Sequence, residues 1–121
     1  MDGLEERGLQ NAVEATRMSL DRTLAALADP HRRKAVELLG EKPRRAGELA
    51  DLLNLSAPAM SRHLRTLRQA QIVEETSPAF DARVRVYQLR AEPMANLKMW
   101  LERTEAMWVD QLAAFKAHVE Q

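Results

Sequence analysis

The feature that most constrains the fold is a pair of short helical segments, over residues 46–53 and 57–70, with only three residues between them. The second segment begins directly after Ser56, whose hydroxyl can cap a helix, and it has Pro58 in its first turn. Two helices joined by so tight a break form a helix-turn-helix unit. The residues that the first segment is expected to bury are Leu49, Leu52 and Leu53.

The predicted helix over 57–70 has two faces of opposite character. Met60, Leu64 and Leu67 recur at steps of four and three residues, which places them together on one face. The opposite face is polar, and it consists of Pro58, Ser61, Arg62, Arg65 and Gln69, with His63 and Arg68 on its flanks. We therefore expect the apolar face to pack in the core and the cationic face to remain bare.

Two further helices are predicted before this unit. Apolar residues at helical spacing indicate a first helix over about 13–28, and we expect residues 1–12 to be frayed or disordered. Asp29 followed by Pro30 is a strong start signal, because an N-cap oxygen precedes a ring that is already set for the first turn. Gly40 is predicted to end this second helix.

Beyond residue 70 the apolar period changes from helical spacing to two. This change predicts strands over 72–76 and 84–89, joined by a turn-rich segment over 77–82, as a hairpin that we call the wing. A long helix is predicted from Pro93 to the end of the chain. The expected fold is mainly α with a small two-stranded β-wing, a winged helix-turn-helix of about five helices, in a single domain over 13–121.

The first and last helices carry apolar stripes that bear on assembly. The stripe on the last helix is wider than a coiled-coil seam, so it has room for its own domain and for the helix of a partner. Part of it must be intrachain core, because a helix of this length would not leave two Trp in water. We expect a homodimer whose interface is formed by Val13, Leu20, Leu24, Met94, Leu97, Leu101, Trp108, Leu112 and Phe115.

Charge is distributed unevenly, although the net charge of the chain is zero. Residues 31–90 hold 12 Lys and Arg against 7 Asp and Glu, whereas residues 1–30 hold 3 against 6 and residues 91–121 hold 3 against 5. A cationic middle flanked by two anionic helices is the arrangement expected when the middle faces phosphate.

The cationic helix face predicts binding to double-stranded DNA. A major groove about 12 Å wide admits one α-helix, whose outward residues then reach base edges. Arg62 and Arg65 are the best candidates for reading bases, and the hydroxyl of Ser61 suits either a phosphate or a base. Arg83 and Arg85 on the wing are expected to contact the backbone or the minor groove. The complete predicted DNA-binding set is Ser56, Ala57, Pro58, Ser61, Arg62, His63, Arg65, Arg68, Arg83 and Arg85.

The sequence leaves two roles open for several basic residues. His63 lies on a flank of its helix, so packing as a half-buried histidine competes with a contact in the groove. Four arginines either solubilise the surface or contact phosphate, namely Arg32, Arg33, Arg44 and Arg45.

At these residues the chain resembles the ArsR-type winged helix-turn-helix repressors, over about residues 18–120. Residues 27–33 (LADPHRR) are similar to the family's entry into the second helix, and residues 47–53 (GELADLL) are similar to its third helix. Residues 61–64 (SRHL) resemble its recognition motif, and residues 81–87 (DARVRVY) resemble its wing. The resemblance implies a dimer clamped by the first and last helices, which represses transcription until an effector arrives.

Two departures from the family concern its metal sites. In the third helix, Ala50 and Leu52 stand at the positions where thiol-based sensors of the family have their Cys pair. In the last helix, the positions with which other members bind zinc across the dimer hold only His118, followed by Gln121. The two Trp of the last helix resemble a non-metal branch, similar to the sporulation-delay type of regulator. We therefore expect neither a metal nor a cofactor, and the effector stays unidentified.

Composition excludes several other classes of function. The chain has no Cys, so thiolate chemistry and disulfides are excluded. Ser61 and His63 point to different sides of their helix, and no third group is placed to orient the imidazole, so we do not expect an enzyme.

His31 and His118 are expected to be surface residues without a cluster of metal ligands. No signal peptide or membrane span is evident, so we expect a cytoplasmic protein. The alternative function is a winged-helix module that binds protein instead of DNA.

Overall fold

The order of elements follows the predicted pattern. The computed structural model of the chain describes residues 2–78 and 80–120, and in this part five helices accompany one two-stranded antiparallel sheet. The elements in chain order are α1 (Asp2–Ala26), α2 (Pro30–Glu41), α3 (Ala46–Leu53), α4 (Ala57–Gln69), β1 (Val73–Thr76), β2 (Val86–Leu89) and α5 (Ala91–Val119). The predicted fold class, a mainly α winged helix-turn-helix, is confirmed. Among the described residues, no helix is both long enough and apolar enough to cross a membrane.

Side-chain caps and one left-handed residue shape the helix-turn-helix. Asn54 ends α3 with a φ of 56°, a conformation that Asn tolerates better than most residues. Two residues later, the hydroxyl of Ser56 accepts a hydrogen bond from the backbone N–H of Ala59 at 3.2 Å and so caps α4. The break between α3 and α4 can be short because the backbone polar groups at both of its ends form local hydrogen bonds.

The core lies where α2, α3 and α4 meet the root of the wing. Its fully buried apolar residues include Leu49, Met60, Leu64, Leu67 and Ile72. The prediction that Leu52 is buried was wrong, since 54% of this residue is exposed. The buried strip of α3 is narrow, and Ala50 rather than Leu52 shares the core with Leu49.

The first helix starts earlier than predicted. We expected residues 1–12 to be frayed, but α1 continues through this stretch from Asp2. Residues 5–12 contain Glu, Arg, Leu, Gln and Ala, which are good helix formers, so no breaker other than Gly8 opposes the helix there. Met1 and Gln121 lie outside the described residues.

The wing is shorter than predicted. Its two strands pair in antiparallel register from Val73 with Leu89 to Thr76 with Val86. Arg83 and Arg85 therefore lie in the connection between the strands and not in a strand. This position lets both side chains extend away from the domain.

Arg44 connects the core elements to the wing. Its backbone N–H donates to the carbonyl of Tyr87 at 3.1 Å, and the N–H of Tyr87 donates back at 2.8 Å. Its guanidinium donates to the carbonyl of Leu38 at 3.1 Å and to the carboxylates of Glu41 and Glu48, both at 2.6 Å. Only 8% of this residue is exposed, so both roles that the sequence left open for Arg44, surface and phosphate contact, were wrong.

Replacing this arginine should therefore destabilise the fold. We expect Arg44→Ala to lower the free energy of unfolding by about 1–3 kcal/mol, because the carbonyl of Leu38 loses its donor while the two exposed glutamates stay hydrated. Arg45→Ala is the matched control. Because Arg45 is exposed, its replacement should change the free energy of unfolding by no more than about 0.5 kcal/mol. Urea denaturation followed by circular dichroism measures both values. Equal free energies of unfolding for the two variants would contradict the structural role of Arg44.

Candidate nucleic-acid interface

The outer face of α4 is the exposed cationic surface that the periodicity predicted. Met60, Leu64 and Leu67 are at most 1% exposed, and they hold the opposite face of the helix in the core. The residues of the predicted DNA-binding set that are exposed on or beside α4 are Ser56, Ala57, Pro58, Ser61, Arg62, Arg65 and Arg68. The helix therefore presents a polar, cationic face that its own domain does not cover.

Arg62 and Arg65 have no intramolecular role in the part of the chain that the structure describes. Neither guanidinium takes part in the ion pairs found there. Both side chains carry an unshared positive charge on the side of α4 that faces away from the core. A guanidinium in this state has its whole fork of N–H donors available for a base edge or a phosphate.

The start of α4 adds a second group of donors. Ser56, Ala57 and Pro58 are all exposed, so the first turn of the helix is open to an approaching ligand. Pro58 has no N–H, and the N–H groups of Ala59 and Met60 are bonded to Ser56, so this turn offers the N–H of Ala57 and the positive end of the helix dipole. They suit a phosphate that flanks the bases read by the middle of the helix.

The wing is linked to α4 by a carboxylate that the sequence reading did not single out. One oxygen of Glu75 lies 3.1 Å from Nη1 of Arg68, and the other lies 3.9 Å from Nε of Arg85. Arg83 is tied instead to Asp81, whose carboxylate accepts from its backbone N–H at 3.0 Å and from its Nε at 3.3 Å. Glu75 therefore brings an arginine of the helix and an arginine of the wing to one place.

His63 packs between α4 and α2 and does not join the exposed row. Its side chain is half-buried, and its ring centroid lies 5.6 Å from that of His31. Nη1 of Arg32 lies 3.3 Å from Nδ1 of His63. Because an arginine can only donate, Nδ1 of His63 is the acceptor in this contact. Of the two roles that the sequence left open, the structure shows packing.

Arg32 and Arg33 are occupied at the end of α1. Nε of Arg32 donates to the carbonyl of Ala26, and Nη1 of Arg33 donates to the carbonyls of Leu27 and Ala28 at 2.9 and 3.0 Å. These bonds satisfy carbonyls that the helix leaves without partners at its C-terminus. Arg32 is half-buried, whereas Arg33 and Arg45 are exposed as surface residues, and contact of these arginines with phosphate stays a prediction.

Asp29, His31 and His63 form a cluster that the sequence analysis missed. One ligand atom from each residue lies within 4.8 Å of the others. We expected His31 to be isolated, and that expectation was wrong because His63 is 32 positions away and reaches it only through the packing of α4 on α2. No signal in the spacing along the chain could have revealed the cluster.

The predicted interface residues of α1 and α5 are mostly exposed in the single chain. Leu20 and Leu97 are half-buried, while the others are exposed, from 37% for Met94 to 66% for Trp108 and Phe115. Further large apolar residues exposed on the same two helices include Leu9, Met18, Met99, Trp100, Met107, Val109 and Val119. An apolar surface of this extent is unusual for a monomer and indicates a site of association.

The pKa of Asp29 is lowered below its ordinary value of 3.8. Burial of the carboxylate raises the pKa, but this effect is outweighed by the backbone N–H groups of Arg32 and His31, which donate to the carboxylate, and by smaller electrostatic contributions from His63 and Arg32. The N–H of His31 donates to Oδ1 of Asp29 at 2.8 Å, and that of Arg32 donates to the same oxygen at 3.3 Å. The ionised carboxylate is therefore the form that caps α2.

The stability contributed by this cap should depend on pH. Since the pKa is lower in the folded than in the unfolded state, the contribution is present above the unfolded value and is lost as the pH falls through the folded one. We expect Asp29→Ala to lower the free energy of unfolding by about 1 kcal/mol at neutral pH. Asp29→Asn keeps a cap oxygen but removes the charge. The difference between its free energy of unfolding and that of the wild type should therefore shrink below about pH 4. Urea denaturation at several pH values tests this, and a difference that grows on acidification would contradict it.

Comparison with known proteins relates this arrangement to a family. Residues 29–75 match the family described as bacterial regulatory protein, arsR family. The chain is 41% identical over 101 residues to the HTH-type transcriptional regulator Rv2034 of Mycobacterium tuberculosis, and the alignment covers 84% of this chain and 89% of that protein. It is 36% identical over 56 residues to the transcriptional repressor SdpR of Bacillus subtilis, which covers 46% of this chain and 62% of that protein.

A solved structure has the same fold. The ArsR-like transcriptional regulator from Rhodococcus sp. RHA1 matches with a TM-score of 0.69 and 30% sequence identity. The match covers 84% of this chain and 93% of that one. The likeness therefore extends beyond the helix-turn-helix to most of both chains.

Proposed function

The chain belongs to the ArsR family of bacterial transcriptional regulators, and from this premise we propose that it is a repressor that binds a near-palindromic DNA operator as a homodimer. Members of this family regulate transcription and are not enzymes. The proposed location is the bacterial cytoplasm, because the DNA partner lies there. The observation that carries the proposal is the exposed face of α4, where Arg62 and Arg65 form no ion pair with any residue that the structure describes.

In the proposed complex, α4 enters the major groove with its outer face toward the bases. Arg62 and Arg65 read base edges, and Ser61 contacts a base or a phosphate. Ser56, Ala57 and Pro58 bring the start of the helix against the backbone, while Arg68, Arg83 and Arg85 hold phosphates or the minor groove beside it. His63, which packs against Arg32 of α2, supports this arrangement at the flank of the exposed face of α4.

The proposed dimer covers the apolar faces of α1 and α5. Its interface contains Val13, Leu20, Leu24, Met94, Leu97, Leu101, Trp108, Leu112 and Phe115. Association through the same surface on both copies creates a two-fold axis and places two copies of α4 on one side of the molecule. Two such helices fit half-sites separated by about one turn of DNA or a multiple of it, so the operator is nearly palindromic.

The repressor role has support from a relative. SdpR, with which the chain shares 36% identity over 56 residues, is named a transcriptional repressor. A dimer seated on an operator that overlaps a promoter excludes the polymerase without needing another activity. An effector that releases the DNA is part of the proposal, and its chemistry is unassigned.

Removing the two arginines should abolish specific binding. Arg62→Ala and Arg65→Ala each remove a potential bidentate contact, which is worth about 1–3 kcal/mol, so we expect each to weaken operator binding by about tenfold or more. Lys98→Ala with Lys116→Ala is the matched control for the double variant, because it removes the same charge from α5. Fluorescence anisotropy with the DNA upstream of the protein's own gene, over a series of salt concentrations, measures affinity and its salt dependence.

Two outcomes would contradict DNA binding. One is folded wild-type protein that does not bind the DNA at low salt. The other is a double arginine variant that binds as tightly as the lysine control. Retained biological function in the arginine variant would favour the alternative, a winged-helix module that binds another protein.

Introducing charge into the proposed dimer face should separate the subunits. We expect Trp108→Glu combined with Leu112→Glu to raise the dimer dissociation constant by about 100-fold or more. Each subunit would then place two carboxylates in the apolar interface, where they would lose their hydration. Ala117→Glu is the control, since nine residues of helix place it opposite Trp108. Sedimentation equilibrium measures the dissociation constants. A wild-type monomer, or a double variant that stays dimeric, would contradict the proposed interface.

A further inference from the structure

The cluster of Asp29, His31 and His63 brings together donors from two helices. Asp29 precedes α2, His31 lies in the first turn of α2, and His63 lies in the middle of α4. Asp29 and His63 are half-buried, whereas His31 is exposed. The three donor atoms therefore meet at the edge of the domain, where an ion can enter from solvent and still be held by partly buried ligands.

We propose that these three residues bind a divalent transition metal ion of the kind that prefers imidazole, such as Zn²⁺, Co²⁺ or Ni²⁺. Two imidazoles and one carboxylate are a common protein donor set for such ions, with the remaining positions filled by water. Bonds of about 2.0 Å to a tetrahedral ion place neighbouring donors roughly 3.3 Å apart. The donors lie within 4.8 Å of one another, so a contraction of up to about 1.5 Å completes the site.

Each donor has a lone pair that can be directed at the ion. Oδ1 of Asp29 accepts the two backbone bonds that cap α2, and these bonds leave the second oxygen of the carboxylate for the metal. The side chain of His31 is 48% exposed, and its Nδ1 already lies 3.7 Å from Oδ1 of Asp29. His63 offers the lone pair of Nδ1, which at present accepts from Nη1 of Arg32 at 3.3 Å.

The ion and Arg32 therefore compete for the same nitrogen. When the metal takes the lone pair of Nδ1, Arg32 gives up this one bond and keeps the bond from its Nε to the carbonyl of Ala26. The repulsion between the ion and a guanidinium a few ångströms away weakens the site, and a strong donor set is needed to overcome it.

Cobalt provides a direct test, because its visible absorption changes when water ligands are replaced by imidazole. Untagged, DNA-free protein is titrated with Co²⁺, and Zn²⁺ is then added to displace it. We expect one ion per chain, a new visible band, and loss of the band on addition of Zn²⁺. His31→Ala and Asp29→Asn should each weaken binding by about tenfold or more. Asp29→Asn keeps the cap of α2, and His31 is exposed, so neither change should unfold the protein.

His118→Ala is the matched control, since it removes the one histidine outside the cluster and should leave the titration unchanged. The site is disproved if wild-type protein shows no saturable band, or if the Asp29 and His31 variants bind Co²⁺ as tightly as wild type. A loss of binding in His118→Ala alone would also disprove it, because the ion would then lie on α5. None of these measurements uses DNA, so their outcome is separate from that of the proposed function.

Discussion

The burial of one side of α4 is the constraint on which the rest of the structure depends. Met60, Leu64 and Leu67 are almost completely removed from water, and burial of each contributes about 1.5–3 kcal/mol. Rotating the helix would expose these residues and would bury Arg62 and Arg65 without partners, which costs far more than any contact it could create. The core therefore orients the cationic face, so the same residues that stabilise the fold also determine what the protein presents to its surroundings.

The arginines around this helix divide into two groups with different roles. Arg32, Arg33 and Arg44 donate to backbone carbonyls at helix ends or in the core, and they hold α1, α2, α3 and the wing together. Arg62 and Arg65 make no such bonds in the described part of the chain and remain exposed. A count of positive residues in the basic middle of the sequence does not separate these groups. Arg44 is paired with two carboxylates, whereas Arg32 and Arg33 keep their charge but have donors engaged by carbonyls.

The sequence was sufficient to predict those elements that are specified by residues close together in the chain. Asp29 with Pro30 and Ser56 with Pro58 correctly located two helix starts, and the spacing of Met60, Leu64 and Leu67 correctly oriented α4. Helix α1 was predicted too short because residues 2–12 lack the apolar stripe by which its later part was recognised. The roles of Arg44 and His63 and the Asp29 cluster depend on contacts between distant segments. No periodicity along the chain encodes such contacts, so these features required the structure.

The position of Glu75 has a consequence for how selective the protein is. Its carboxylate occupies a place between Arg68 and Arg85 that a phosphate would otherwise take, so nucleic acid must displace an internal anion before these two arginines engage it. Any sequence offers phosphates, and the cost of this exchange lowers the affinity for all of them alike. In the proposed complex every DNA sequence would meet this same cost, so discrimination between sequences is left to the side chains that face the bases. An acidic residue in the basic surface would thus limit how tightly the protein holds DNA that lacks the operator.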